Sequence, residues 1–102
     1  MKIVVKKVGC EPEVREIENE LHTIQEIVGG YIQCFNVVHD IVCVCDEEGK
    51  LKDYPPNFIF NDDIIAGDVL FCKAGEEDFE SLSDEQIEFI MNALYVFEVK
   101  NK

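Results

Sequence analysis

The side chains in this sequence that could do chemistry are mainly carboxylates. They form three groups, Asp46-Glu47-Glu48, Asp62-Asp63 and the run from Glu76 to Glu80. Paired carboxylates can bind a divalent cation or act as general acid and base, yet most such groups in proteins are solvated turns. We therefore expect exposed charge at all three groups.

The first group carries more weight because it mixes hydrogen-bond donors with acceptors. Its acids are followed by Gly49 and Lys50, and Pro55-Pro56 and Asn57 come a few residues later. Binding sites concentrate on turns that a rigid sheet holds in place. The turn therefore predicts a ligand-binding site, whose candidate residues are Glu47, Glu48, Lys50, Asn57 and Asp63.

Five cysteines raise the question of a metal site. Cys43 and Cys45 would share one side of a strand, and Cys34 or His39 would lie across a turn. Structural zinc ligands are usually about two to four residues apart on turns, whereas these two cysteines are separated by one residue in an apolar run. Because free cysteine behaves as a small buried hydrophobe, we predict reduced thiols in or near the core, with no metal and no cofactor.

Nucleophilic catalysis would need an imidazole base, and the sequence has only His22 and His39. We expect His22 on a helix and His39 in a turn, both solvated. No GxSxG, HExxH, P-loop or glycine-rich dinucleotide motif occurs. The sequence thus predicts no catalytic residue and leaves an enzymatic activity unsupported but open.

The charge of the chain restricts its partners. It has 22 acidic and 9 basic residues, a formal net charge of −13. Such a field repels phosphate groups, so we expect no direct binding to nucleic acid or to an anionic membrane. An acidic surface could instead imitate nucleic acid in a basic groove of another protein, although plain solubility is the commoner reason for such charge. Without a bilayer-spanning apolar run or a signal peptide, the chain is expected to be cytoplasmic.

Apolar periodicity predicts the elements that hold these residues. Alternation indicates strands at Lys2–Val8 and Val14–Glu18, joined as a hairpin. Asn19 can cap a helix that ends at Gly29-Gly30. Strand formers then fill Tyr31–Val38 and Ile41–Cys45, with a tight turn at His39-Asp40 between them.

The second half of the chain is less regular. We expect Gly49 to take a positive φ, Pro55-Pro56 to end strand pairing, and Phe58-Ile59-Phe60 to form a buried loop or single turn. Asp68–Lys73 is predicted as the last strand, with Gly67 at a bulge or close backbone approach.

The clearest local signal begins the last helix. Ser83 and Gln86 form a capping box, and Leu82 and Ile87 form a hydrophobic staple. The helix should run from about Asp84 to near Tyr95, with Ile87, Ile90, Met91, Leu94 and Phe97 on its apolar face. Together the elements predict a single α+β domain over residues 1–102, with a mostly antiparallel sheet of about five strands and two helices packed on one face.

Several segments, taken in order, resemble a known family. They are Asn19-Glu20-Leu21, Val28 to Ile32, Asp46 to Leu51, Pro55-Pro56-Asn57, Asp63 to Gly67 and Ser81 to Ile87. Their order and spacing are similar to those of the domain of unknown function 3846 family, found in bacteriophages, plasmids and conjugative elements of Gram-positive bacteria. The resemblance covers most of the chain and implies an origin in a mobile element.

These observations lead to one main functional hypothesis and several alternatives. The main one is a non-enzymatic binding protein of a phage or mobile genetic element, acting on a host or defence component by binding a protein or a small ligand. The alternatives are a small metal-dependent or carboxylate-based hydrolase, and an acidic inhibitor that mimics nucleic acid. Homo-oligomerisation through a strand edge or through Phe58-Ile59-Phe60 is also kept open.

Overall fold

A computed structural model describes the backbone of residues 1–100 and the side chains of residues 1–94. Its elements, in chain order, are β1 (Lys2–Lys6), β2 (Glu13–Glu16), α1 (Leu21–Val28), β3 (Ile32–Val38), β4 (Ile41–Asp46), β5 (Pro56–Phe60), β6 (Asp63–Ala66), β7 (Val69–Ala74), β8 (Phe79–Glu80) and α2 (Asp84–Lys100). Neither helix is long and apolar enough, over the residues described, to cross a membrane.

The main sheet has six strands and is antiparallel throughout. Its order is β2-β1-β7-β4-β3, and β8 pairs with the end of β7. A separate two-stranded sheet consists of β5 and β6. The predicted α+β class and mostly antiparallel pairing are confirmed, with six strands in the sheet instead of about five.

The central strands are apolar at consecutive positions, so both faces of the sheet need a cover. Ile24 and Val28 of α1 are buried with Val42, Val44 and Leu70. A second buried cluster joins Ile90 and Leu94 of α2 to alternate residues of the same strands, namely Ile41, Cys43, Val69 and Phe71. Successive strand residues point to opposite faces, so the structure does not confirm that both helices pack on one face.

The prediction of a loop at Phe58-Ile59-Phe60 is wrong, because these residues belong to β5 and pair with β6. Asn61 and Asp62 connect the strands with φ angles of 49° and 64°. Two positive φ values are what a type I′ hairpin turn requires. Pro56 does not end the pairing, since it occupies the first position of an edge strand, where the lack of an N–H is tolerated.

The ends of α1 agree only in part with prediction. The helix does end at Gly29, whose φ is 99°. At its start, Glu20 holds the cap position without a side-chain hydrogen bond, and the amide of Asn19 donates instead to the carbonyl of Phe79 at 2.8 Å. The predicted Asn19 cap is therefore wrong, because a tertiary contact takes its side chain.

The start of α2 is confirmed in detail. The backbone N–H of Gln86 donates to Ser83 Oγ at 3.1 Å, and the N–H of Ser83 donates to Gln86 Oε1 at 2.9 Å. Leu82 is buried, and Ile87 packs against the same cluster. The helix extends to Lys100, beyond the predicted end near Tyr95, and the side chain of Phe97 lies outside the described residues.

The five cysteines occur as free thiols in different environments. Cys43 and Cys72 are buried and Cys45 is half-buried, whereas Cys10 and Cys34 are exposed. The prediction that all five lie in or near the core is therefore wrong for Cys10 and Cys34. Burial raises the pKa of Cys43 well above its usual value and that of Cys72 to about 12.

Candidate functional site

A cleft of about 200 Å³ opens on the α2 face of the sheet, between the end of β4 and the β5–β6 hairpin. Four segments form its walls: β3, β4, the loop after β4, and β6. The lining residues are Gln33, Phe35, Cys45, Asp46, Glu47, Gly49, Lys50, Leu51, Asp63, Ile64, Ile65 and Ala66. The cleft therefore has an apolar floor with charged groups beside it.

The loop that carries Glu47 and Lys50 is held by backbone hydrogen bonds. The N–H of Glu47 donates to the carbonyl of Tyr31 at 2.8 Å, and the N–H of Tyr54 donates to the carbonyl of Gly49 at 3.2 Å. Gly49 does not have the positive φ that we predicted; Asp53 does, at 57°. A Cβ on Gly49 would lie 3.1 Å from the carbonyl oxygen of Ala66, so this position favours glycine for its close approach to β6.

An ion pair spans the cleft. Lys50 Nζ lies 2.5 Å from Asp63 Oδ1 and joins the loop to the start of β6. The hydrogen bond from Lys50 lowers the pKa of Asp63. Both side chains are well exposed, so the pair is screened by solvent and adds little to stability.

A second ion pair joins Asp46 to Lys52, and only its acidic partner is buried. The Asp46 side chain is 1% exposed, and its Oδ2 accepts a hydrogen bond from Lys52 Nζ at 2.8 Å. Burial acts to raise the pKa of Asp46. Hydrogen bonds from the Lys52 side chain, from the backbone N–H of Glu48 and from the Tyr54 hydroxyl outweigh burial, so the pKa is lowered. We call Asp46, Lys52 and Tyr54 the Asp46 cluster.

The Asp46 cluster packs against glycines from two other parts of the chain. A Cβ on Gly30 would lie 2.6 Å from Lys52 Nζ, and one on Gly67 would lie 2.5 Å from Tyr54 Cδ2. Gly67 also has a φ of 84°, which glycine adopts without cost. The close approach predicted at Gly67 is thus present, and the cluster links the loop to the end of α1 and to β6.

The structure brings three of the five candidate ligand-binding residues together. Glu47, Lys50 and Asp63 line the cleft, whereas Glu48 belongs to the same loop without lining it. Asn57 points into the protein, where its amide donates to the carbonyls of Lys6 and Gly67 at 2.9 and 2.8 Å. Its Oδ1 is buried and has no hydrogen-bond partner among the described residues. Ligand binding by the five residues stays a prediction.

Sequence reasoning missed the part of the lining that comes from β3 and most of the part that comes from β6. Gln33 and Phe35 lie on the cleft face because they alternate with Ile32 and Cys34 along β3. Ile64 and Ala66 were missed because the hairpin was not foreseen. The Asn61-Asp62 pair between two apolar runs was the signal that could have revealed the hairpin, since both residue types tolerate a positive φ.

The cleft lies beside an open edge of the main sheet. The N–H of Glu47 donates to the carbonyl of Tyr31, so Tyr31 faces β4 with its main-chain groups. Residues that face the partner strand alternate in an antiparallel pair, and the main-chain groups of Gln33 and Phe35 therefore also face β4. Those of Ile32, Cys34 and Asn36 then face away from the sheet. No backbone hydrogen bond to this outer side is found within the part of the chain that the structure describes.

The other candidate chemistries find less support in the geometry. Over the described residues, no group of three or more His, Cys, Asp or Glu side chains is placed to hold a metal ion. Burial raises the pKa of Cys45, which disfavours the thiolate that a metal would require. His22 lies on the surface, with its Nδ1 3.3 Å from Glu20 Oε2, and His39 lies in a turn. Neither histidine lines the cleft.

Over the described residues, fold and cleft together define an α+β protein in which the β3 edge pairs with no other strand and lies beside a charged cleft. Comparison with protein families matches residues 1–95 to the domain of unknown function DUF3846. The chain belongs to this family, as the resemblance implied. No curated protein and no solved structure matches it.

Proposed function

We propose that this protein is a non-catalytic binding protein of a phage or other mobile element, which binds a host or defence protein by pairing an extended segment of it with the edge of β3. The observation that carries this proposal is the edge itself. It is seven residues long, and its sequence, Ile-Gln-Cys-Phe-Asn-Val-Val, contains no charged residue and no proline. The mobile-element origin rests on the family resemblance.

The opposite edge of the sheet supports the proposal by contrast. β2 has only four residues, follows Pro12 directly, and carries Glu13, Arg15 and Glu16, of which Glu13 and Arg15 form an ion pair. Short strands, charges and proline are the devices by which natural sheets prevent unwanted pairing at an edge. β3 has none of these three devices, and its one irregularity, a register shift between Asn36 and Val38, leaves Ile32 to Asn36 in regular pairing with β4. The contrast favours this stretch of β3 as a place where pairing is useful.

The size of the cleft favours a protein partner over a small molecule. Pockets for small ligands usually have volumes of about 300 to 1,000 Å³. The cleft has about 200 Å³, which suits a single side chain. Domains that add a peptide strand to a sheet edge combine main-chain hydrogen bonds with pockets for alternate side chains, and here an edge and a pocket lie next to each other.

The charge of the chain indicates the kind of partner. A net charge of −13 attracts a basic segment over long range and opposes pairing between two copies of the same chain. A nucleic-acid mimic would use the same charge differently. In that case affinity would depend on the acids between Glu76 and Glu88 and would not depend on the β3 edge.

The proposal is tested by blocking the edge. Random seven-residue peptides displayed on phage serve as the probe, and enriched peptides are synthesised for fluorescence anisotropy. Cys34→Pro removes an N–H that points away from the sheet and leaves the hydrogen bonds to β4 intact. Cys34→Thr is the matched control, because it keeps this outward N–H. We expect the enriched peptides to bind wild type and Cys34→Thr equally and to bind Cys34→Pro about tenfold or more weakly, since main-chain pairing is lost.

A second measurement leaves the protein unchanged. The same peptides are made with N-methyl groups on alternate amides, in both phases, because only amides that face β3 would be needed for pairing. One phase should abolish binding and the other should not. The proposal is overturned if no peptide is enriched, if both phases bind alike, or if a folded Cys34→Pro variant keeps full affinity.

A further inference from the structure

The cleft has a definite position relative to the open edge. Gln33 and Phe35 line it from β3, and Cys45 lines it from β4, so the cleft lies on the α2 face one strand away from the edge. A segment paired with β3 would run about 4.8 Å outside it. Every second side chain of that segment would point to the α2 face, toward the cleft.

From this geometry, and resting on the function proposed above, we propose that the cleft accepts one long basic side chain, arginine or lysine, from the segment paired with β3. The first argument is reach. A short side chain on the added strand would stop against Gln33 and Phe35. A side chain with a long flexible stem can cross β3 and bring its head to Glu47, which lines the cleft and lies opposite Tyr31 just after β4.

The second argument is the chemistry of the lining. Phe35 and Ile64 offer apolar surface for the methylene stem of a lysine or arginine, which such residues bury while their charged head stays near water. The ring of Phe35 packs against that of Phe60, with ring centroids 5.3 Å apart, and this contact restricts the position of the Phe35 side chain. An acidic side chain, which has a shorter stem, would not gain the same contact.

The third argument is the local charge. Lys50 is already paired with Asp63, and Asp46 is already paired with Lys52. Glu47 is exposed and forms no ion pair with any described residue, so its carboxylate is the group available to a cation. The net charge of the whole chain adds to this preference, since it attracts cations and repels anions.

The test compares two peptides that differ in one charge. Both are seven-residue peptides of alternating threonine and valine, with arginine at the central position in one and citrulline, its neutral isostere, in the other. We expect wild type to bind the arginine peptide about fivefold more tightly, the upper range for an ion pair with an exposed carboxylate. Glu47→Gln should reduce this preference to about twofold or less.

Glu48→Gln is the matched control for the cleft. This substitution removes the same charge one residue away, outside the cleft lining. It therefore changes the long-range field of the protein as Glu47→Gln does, but it should keep the preference for arginine over citrulline. The inference is overturned if wild type does not distinguish the peptides, or if Glu47→Gln and Glu48→Gln change the preference equally.

The two proposals fail in different ways. If Cys34→Pro abolishes binding of both peptides while Glu47→Gln changes nothing, the edge binds and the basic pocket is wrong. If Glu47→Gln removes the preference for arginine while Cys34→Pro binds as wild type does, the cleft acts without strand pairing and the edge proposal is wrong.

Discussion

Asp46 is the buried charged residue of the cleft lining. Its carboxylate is almost fully buried, accepts hydrogen bonds from Lys52 and from the N–H of Glu48, and lies close to Gly30. Breaking a buried ion pair leaves the other polar groups without partners, which costs more than the pair itself contributes. The sequence placed Asp46 in a solvated turn, and its burial depends on Lys52, Tyr54 and two glycines that come from distant positions.

We predict that Asp46→Asn lowers the free energy of unfolding at pH 7 by about 1–3 kcal/mol. The pKa of Asp46 is lower in the folded state than its unfolded value of about 3.9, so folding favours the ionised form. Its contribution is therefore present above about pH 4 and is lost as the pH falls through the folded pKa. Urea unfolding of wild type and variant between pH 7 and pH 3 measures both effects.

The difference in the free energy of unfolding between wild type and Asp46→Asn should become smaller as the pH is lowered. Glu48→Gln, an exposed neighbour, is the control and should follow wild type at every pH. Asp63 also has a lowered pKa, but it titrates in both proteins and cancels in the comparison. A constant difference from pH 7 to pH 3 would show that the charge of Asp46 does not stabilise the fold.

At the scale of elements, the β5–β6 hairpin decides whether there is a cleft at all. It supplies Asp63, Ile64, Ile65 and Ala66 to the wall, and its Phe58 is buried against Phe71 with ring centroids 6.0 Å apart. Sequence patterns predicted the strands that alternate or are continuously apolar, and the capping box of α2. They missed this hairpin because its first strand begins at a proline and its turn lacks glycine.

The turn of the hairpin can be tested by substitution at Asp62, whose φ is 64°. Asp62→Gly should raise the free energy of unfolding by about 0.5–1 kcal/mol, because glycine adopts a positive φ without a steric penalty. Asp62→Val should lower it by at least about 1 kcal/mol, because a β-branched residue is strained there. Urea unfolding at pH 7 measures both, and equal effects of the two substitutions would contradict the type I′ turn.

At the scale of the whole molecule, net charge and an open edge act against each other. The edge of β3 could pair with the same edge of a second copy, while the charge of −13 on each chain opposes the approach. Salt weakens this repulsion, since the screening length falls from about 10 Å at 0.1 M to about 3 Å at 1 M. The assembly state should therefore depend on ionic strength.

We predict a monomer in low salt and a growing dimer fraction in 1 M sodium chloride, measured by size-exclusion chromatography with light scattering. The salt-induced dimer should form with wild type and with Cys34→Thr but not with Cys34→Pro, because only the last lacks the outward N–H. A stable dimer in low salt, or an equal response of all three proteins, would contradict this account of the edge.

The sequence by itself determined the class of fold, most strands, both helices and the cap of α2, because apolar periodicity and local hydrogen bonds depend on near neighbours in the chain. It also singled out Glu47 and Lys50 beside Gly49, and Asp63 of the Asp62-Asp63 pair, since clusters of charged residues at turns are visible without a structure. The tertiary structure decided which of the five candidates meet, because Asn57 turns inward and Glu48 lies outside the cleft lining.

The placement of the helices on opposite faces and the exposure of the β3 edge were also decided only in three dimensions. Both follow from strand order and register, which depend on contacts between residues far apart in the sequence. A strand's own residues are the same whether it lies at the centre of a sheet or at its edge, so β3 and its outward main-chain groups became a candidate binding surface only when the fold was known.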